Sequence, residues 1–235
     1  MDSVDLELDS HRQLVLATSE ASDVAVRRWN EANGTWDLIG APFHGAFKQV
    51  AEVHLAFGSD NTPYVAWLEG TDGSNAARIL AASFDGQQWN QLGGELDNTP
   101  NATQNLWGPA ISFDNGPVVA SIKAPARSLS LKRWAGAAWV DETTVDQGNY
   151  TGNTVSLLAF ANQRTLAFAD EGKALVRQFD GQSWGAASDA FNGPSAGKNP
   201  EPLPARGGGR IFMSELANFD LGNVVRVSAP ASERG

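Results

Sequence analysis

The chain has 235 residues, and its 27 acidic side chains outweigh 17 basic ones to give a net charge of −10. That balance excludes ordinary nucleic-acid binding, which depends on Lys and Arg neutralising phosphates, and opposes docking on an anionic membrane. The absence of cysteine removes disulfides, thiolate metal sites and thiol catalysis together. Hydrophobic residues make up 42% of the chain, 24 glycines supply turns, and no stretch keeps a helical period, which points to an all-β protein. No apolar run approaches the ~20 residues of a membrane span. The start at Met1-Asp2-Ser3 lacks the basic-then-apolar pattern of a signal peptide, yet a secreted or periplasmic location is favoured.

Strand signals come in a regular order. Leu6-Glu7-Leu8 and Leu14-Val15-Leu16-Ala17 open a first unit, which ends on Trp29, an Asn33-Gly34 turn and Trp36. A second unit runs through Val53 to Phe57, Tyr64 to Trp67 and Ile79 to Phe84, then turns at Asp85-Gly86 into a fourth strand carrying Trp89. Asp-Gly between alternating runs is a strong hairpin signal because both central residues must accept positive φ. The third unit has Ile111 to Phe113, Val118 to Ala120, and a Gly136 turn between Trp134 and Trp139; the fourth has Leu157 to Phe160, Thr165 to Phe168, and a Gly181 turn between Phe179 and Trp184. In a fifth, Arg210 to Met213 and Val224 to Val227 are second and third strands, and no fourth strand follows. The units cover approximately 4–40, 51–93, 108–143, 154–188 and 200–229 of one domain spanning 1–235.

The leading aromatics Trp29, Phe84, Trp134 and Phe179 recur at intervals of 55, 50 and 45 residues, a period of propellers and similar arrays. Five meandering four-stranded units resemble a five-bladed β-propeller, and the strand, Gly turn and Trp rhythm resembles the blades of bacterial propeller proteins and propeller lectins, loosely also kelch repeats. The expected fold is therefore an all-β propeller of about five four-stranded antiparallel blades, the last incomplete. Trp36, Trp89, Trp139 and Trp184 are expected to fill the wedges between blades.

Function is sought on the face that receives the long, irregular links between blades. Those links carry amides and aromatics suited to a polyhydroxylated ligand, because an amide both donates and accepts while a ring covers the apolar side of a sugar. Trp107 and Tyr150 are the expected stacking surfaces, and His44, Lys48, Gln104, Asn105, Asn149 and Asn153 the expected hydrogen-bonding groups. The predicted role is a non-enzymatic propeller binding a carbohydrate or similar polar ligand. The alternative is a protein-interaction platform, and a glycoside-hydrolase-like enzyme comes third. No cofactor or metal is expected, because the three histidines lack ligand spacing and no acidic loop fits a calcium template. Asp5, Glu7, Glu52 and His54 fall on innermost strands and are expected to line the central channel. Five-bladed glycosidases carry three acidic residues converging from the innermost strands; this sequence offers an acid pair from two blades and Ala110 to Phe113 where a third would come, so a hydrogen-bonded channel lining is the expected role.

Overall fold

The computed structural model describes residues 3–20, 22–45, 49–70, 77–99, 106–123, 128–142, 155–160, 163–170, 173–189, 201–207, 210–219 and 222–228, the last three segments as backbone. They form five antiparallel sheets, each a meander in chain order. The first blade is β1 (Val4–Leu8), β2 (Leu14–Glu20), β3 (Asp23–Asn30) and β4 (Thr35–Leu38). The second is β5 (Gln49–Phe57), β6 (Pro63–Gly70), β7 (Ala77–Phe84) and β8 (Trp89–Gln91), with β9 (Asp97–Thr99) pairing back onto β7. The third is β10 (Leu106–Phe113), β11 (Pro117–Lys123), β12 (Ser128–Trp134) and β13 (Trp139–Asp141). The fourth is β14 (Val155–Phe160), β15 (Gln163–Asp170), β16 (Lys173–Phe179) and β17 (Ser188–Asp189), and the fifth has three strands, β18 (Glu201–Gly207), β19 (Arg210–Phe219) and β20 (Gly222–Ser228). The protein is an all-β propeller, with no helix among the described residues.

Local chemistry sets the hairpins. Asp85 accepts the backbone N–H of Gln87 and Gln88, each at 2.8 Å, while Gly86 takes φ 98°; Asp180 does the same for Gln182 and Ser183 beside Gly181 at φ 100°. A short acidic side chain thus replaces the ladder bonds that the turn cannot make.

Blades meet through apolar seams. Val15, Ala17, Val24 and Val26 of the first blade pack on Val53, Leu55, Val65 and Trp67 of the second. Ala66, Ile79 and Ala81 of the second pack on Ile111 and Val119 of the third, and Ala120, Ile122 and Leu131 of the third on Val155, Leu166 and Phe168 of the fourth. A directional latch accompanies two seams. The Trp89 indole donates to the Ile39 carbonyl at 2.7 Å, and the Trp139 indole to the Leu92 carbonyl at 2.6 Å, in each case the residue just after the preceding blade's fourth strand. The next residue is glycine both times. A Cβ on Gly40 would lie 2.8 Å from Phe84 Cε2, and one on Gly93 2.8 Å from Trp134 Cζ3, so only a bare Cα lets the chain lie on the aromatic pair. Trp184 packs against the third-to-fourth seam, but its indole N–H meets no acceptor among the described residues. Trp36 departs from the expected wedge-filling role: it is exposed.

Candidate functional site

The innermost strands β1, β5, β10, β14 and β18 follow one another around the centre, and side chains stitch several of them together. Ser3 Oγ accepts the Val53 N–H at 3.2 Å, Asp5 accepts the Leu55 N–H at 2.7 Å, and Ser112 Oγ accepts the Ala159 N–H at 2.8 Å. Asp5 is therefore a positioning group first, and it also faces His54 Nδ1 at 3.9 Å. Burial holds the His54 pKa down, with Asp5 pulling the other way.

Two strands carry matching bulges near the channel mouth. The β5–β6 register shifts between Val50 and Val53, and the β10–β11 register between Trp107 and Ala110. A bulge re-aims a side chain without ending the strand. Here Glu52, within the first bulge, accepts the backbone N–H of Gly108, within the second. Crowding by protein raises the Glu52 pKa to about 7 against that hydrogen bond. Glu7 on the neighbouring strand is also raised to about 7, first by desolvation and then by the adjacent Asp5 charge. Glu7 nevertheless stays exposed to solvent. Asp5, Glu7, Glu52 and His54 thus lie on two adjacent innermost strands; the Ser3–Val53 and Asp5–Leu55 bonds set Asp5 beside His54 and place Glu7 and Glu52 toward opposite ends, about 16 Å apart along the strands.

The remaining sequence candidates divide. Trp107 is half-buried against the third-to-fourth core and immediately precedes the Gly108 that anchors Glu52. His44 is exposed, next to Gly45, where an added Cβ would run into the Glu69 and Leu80 side chains of β6 and β7. Lys48, Gln104, Asn105, Asn149, Tyr150 and Asn153 lie outside the described residues.

Sequence reasoning missed the buried charge clusters. Glu69, fully buried, accepts the Trp67 indole at 2.9 Å and pairs with Arg78 at 3.0 Å, which reaches on to Glu95. Between the third and fourth blades Arg164 pairs with Asp114 at 3.0 Å and with Glu142, while Arg133 binds the same two acids. The guanidinium of Arg164 also lies 4.2 Å over the Phe179 ring. The ion pairs join residues nine or more positions apart in sequence, so no helical or strand spacing announces them.

Comparison with known proteins fits this architecture. The chain superposes over its whole length on 78% of an alpha-L-arabinanase from Penicillium chrysogenum complexed with arabinobiose, at 13% identity and TM-score 0.63. It superposes over 97% of its length on the polysaccharide lyase Uly1, at 9% identity and TM-score 0.60, and spans only 58% of that lyase. An exo-1,5-alpha-L-arabinanase from a bovine ruminal metagenomic library is matched over 91% of its chain, at 8% identity and TM-score 0.54. No protein-family profile and no curated protein matches the chain. These likenesses establish the propeller. They also correct the lectin and kelch resemblance and the expectation of a non-enzymatic binding protein: these structural neighbours are carbohydrate-cleaving enzymes.

Proposed function

We propose that the protein is a glycoside-hydrolase-like enzyme acting on a carbohydrate in the channel, with Glu7 and Asp5 as its reacting carboxyls. The observation that carries the reading is the pair itself: Asp5 and Glu7 stand two residues apart on one face of β1, about 7 Å along the strand, and burial, helped by the Asp5 charge, raises Glu7 to about 7. Glycoside hydrolysis needs one carboxyl protonated and one ionised at the same pH. Glu7 suits the acid, because the negative Asp5 beside it favours retention of the proton. Asp5 supplies the carboxylate, held in place by the Leu55 N–H it accepts at 2.7 Å. Glu7 would protonate the departing glycosidic oxygen while Asp5 activates the attacking water, for which the spacing of the pair leaves room. Trp107, beside the Gly108 that anchors Glu52, is the candidate platform for a sugar ring.

The test is release of reducing ends or chromophore from arabinan oligosaccharides and a panel of aryl glycosides, comparing the parent with Glu7→Gln and Asp5→Asn. The expected result is cleavage of at least one substrate near neutral pH and a loss of roughly 100-fold or more in either variant with melting temperature retained. Cleavage that survives both substitutions, or no cleavage across the panel, would remove the assignment.

A further inference from the structure

On β5 the Val53 N–H goes to Ser3 Oγ at 3.2 Å and the Leu55 N–H to Asp5 Oδ2 at 2.7 Å, so the residue between them, His54, is tied to β1 on both sides. Val53 and Leu55 turn their side chains onto the first blade. Strand alternation sends His54 to the other face, where Asp5 Oδ2 stands 3.9 Å from its Nδ1. In the ladder His54 lies opposite Ala66, whose methyl cannot compete for a ring nitrogen. The His54 side chain keeps 40% of its surface open, against 25% for Asp5.

The charges around this imidazole come from two strands. Besides Asp5, β1 brings Glu7 two residues further on, and β5 itself carries Glu52 on the same face as His54. β10 holds no ionisable residue from Leu106 to Phe113. On β6, Tyr64 is set against Phe113, and Glu69 is bound to Trp67 and Arg78. β2 and β3 meet the opposite face of β5 through Val15, Ala17, Val24 and Val26. Asp5 is therefore the anion at Nδ1, which favours the proton on that nitrogen and leaves Nε2 as a lone-pair acceptor. Asp5 is less suited to take a proton itself: the oxygen facing His54 is the one that accepts the Leu55 N–H, and a carboxylate held by a backbone donor is a weaker base. An imidazole oriented by a carboxylate is the stronger base near neutral pH.

We infer that His54 is the proton acceptor at the water-activating end of the site, oriented by Asp5, so that Asp5 acts on the water through His54. The inference rests on the reading of Glu7 and Asp5 as the reacting pair and divides the labour within it. Nε2 takes one proton from the water as the water oxygen bonds to the anomeric carbon. Glu7 gives its proton to the departing glycosidic oxygen, which keeps the electron pair of the bond that breaks. The turnover leaves Glu7 ionised and His54 an imidazolium beside Asp5. Loss of one proton from His54 to solvent and gain of one by Glu7 restore the site, and water is the one reactant consumed besides the glycoside.

The test joins a titration to kinetics on the full chain. With three histidines in the sequence, nitrogen-15 NMR of the parent and of His11→Gln, His44→Gln and His54→Gln assigns each imidazole. Neutral His54 should carry its proton on Nδ1, and Asp5→Asn should move that proton toward Nε2 and lower the His54 titration midpoint. A tautomer and midpoint that Asp5→Asn leaves unmoved would overturn the inference. In aryl glycoside cleavage, His54→Gln and His54→Asn should each lower kcat roughly 100-fold with KM within about threefold and the melting temperature retained. His54→Asn is the telling variant, since its amide can still donate to Asp5 but cannot take a proton, and it would rescue a histidine whose role is only structural. The acid limb of the parent's kcat/KM should fall at the His54 midpoint read by NMR. Cleavage by His54→Asn close to the parent's rate, or an acid limb in the ordinary carboxylate range near about 4, leaves Asp5 as the sole base and overturns this role alone. No cleavage by the parent across the panel removes the hydrolase reading and this role with it.

Discussion

Trp89→Ala removes a ring that stacks on Phe43 at 4.9 Å, lies against Phe84 at 5.3 Å and donates to the Ile39 carbonyl at 2.7 Å. Truncating a fully buried aromatic costs about 3–5 kcal/mol. Trp89 is half-buried, which places it near the lower end, at about 3 kcal/mol, of which roughly 1 kcal/mol belongs to the hydrogen bond. Trp89→Phe keeps most of the ring contact and should lose only about 1 kcal/mol, from the bond alone. For a chain of this size 1 kcal/mol is worth about 2–4 °C, so the alanine variant should melt about 6–12 °C below the parent. The matched control is Trp36→Ala, the same repeat position on the uncovered face, expected to cost about 1 kcal/mol or less because only Trp29 is in ring contact. Urea unfolding followed by far-ultraviolet circular dichroism measures all three. Equal losses at Trp89 and Trp36 would refute the reasoning, since the difference rests entirely on whether a preceding blade covers the ring.

The raised carboxyls make a pH prediction. Glu7 and Glu52 hold protons in the folded protein up to about 7 but release them near 4.5 once unfolded, so their contribution is full below about 4.5 and is lost as pH rises to about 7. The melting temperature of the parent minus that of the Glu7→Gln, Glu52→Gln double variant should therefore decline across that window; a flat difference would count against the shifts. Arg164→Ala breaks a buried ion-pair cluster and uncovers the Phe179 face, and should cost about 3–5 kcal/mol in urea unfolding. Arg164→Lys should recover little of that, because one ammonium cannot serve Asp114 and Glu142 with a planar fork.

The strands were legible because each carries its own local signal. Asp85-Gly86 and Asp180-Gly181 place hairpins by turn chemistry, and the recurring aromatic pairs mark where each blade's outer edge comes. The short β9 escaped because three residues without alternation carry no period, and its partner β7 lies across a turn of the chain. The acid pair was legible as residue type and strand position. What raises the pKa values of Glu7 and Glu52 was not, because it is chiefly burial, which depends on how the blades pack and not on any neighbouring side chain in the sequence. Trp107 sits within β10, in register with Ile122, and packs in part on the third-to-fourth core, a placement that its loop-like surroundings in the sequence did not announce. Trp36 read as core by analogy with Trp89, and the analogy held for register while failing for burial, which depends on a neighbour rather than on the residue.

The aromatic latches point backwards along the polypeptide: Trp89 reaches Ile39, and Trp139 reaches Leu92. On a ribosome this means that each of these blades, as it emerges, finds its acceptor carbonyl and its glycine already synthesised. Neither needs to wait with an exposed tryptophan for residues still to be made. The order of synthesis and the order of docking therefore coincide, and the growing arc can be consolidated one blade at a time from its first sheet onward.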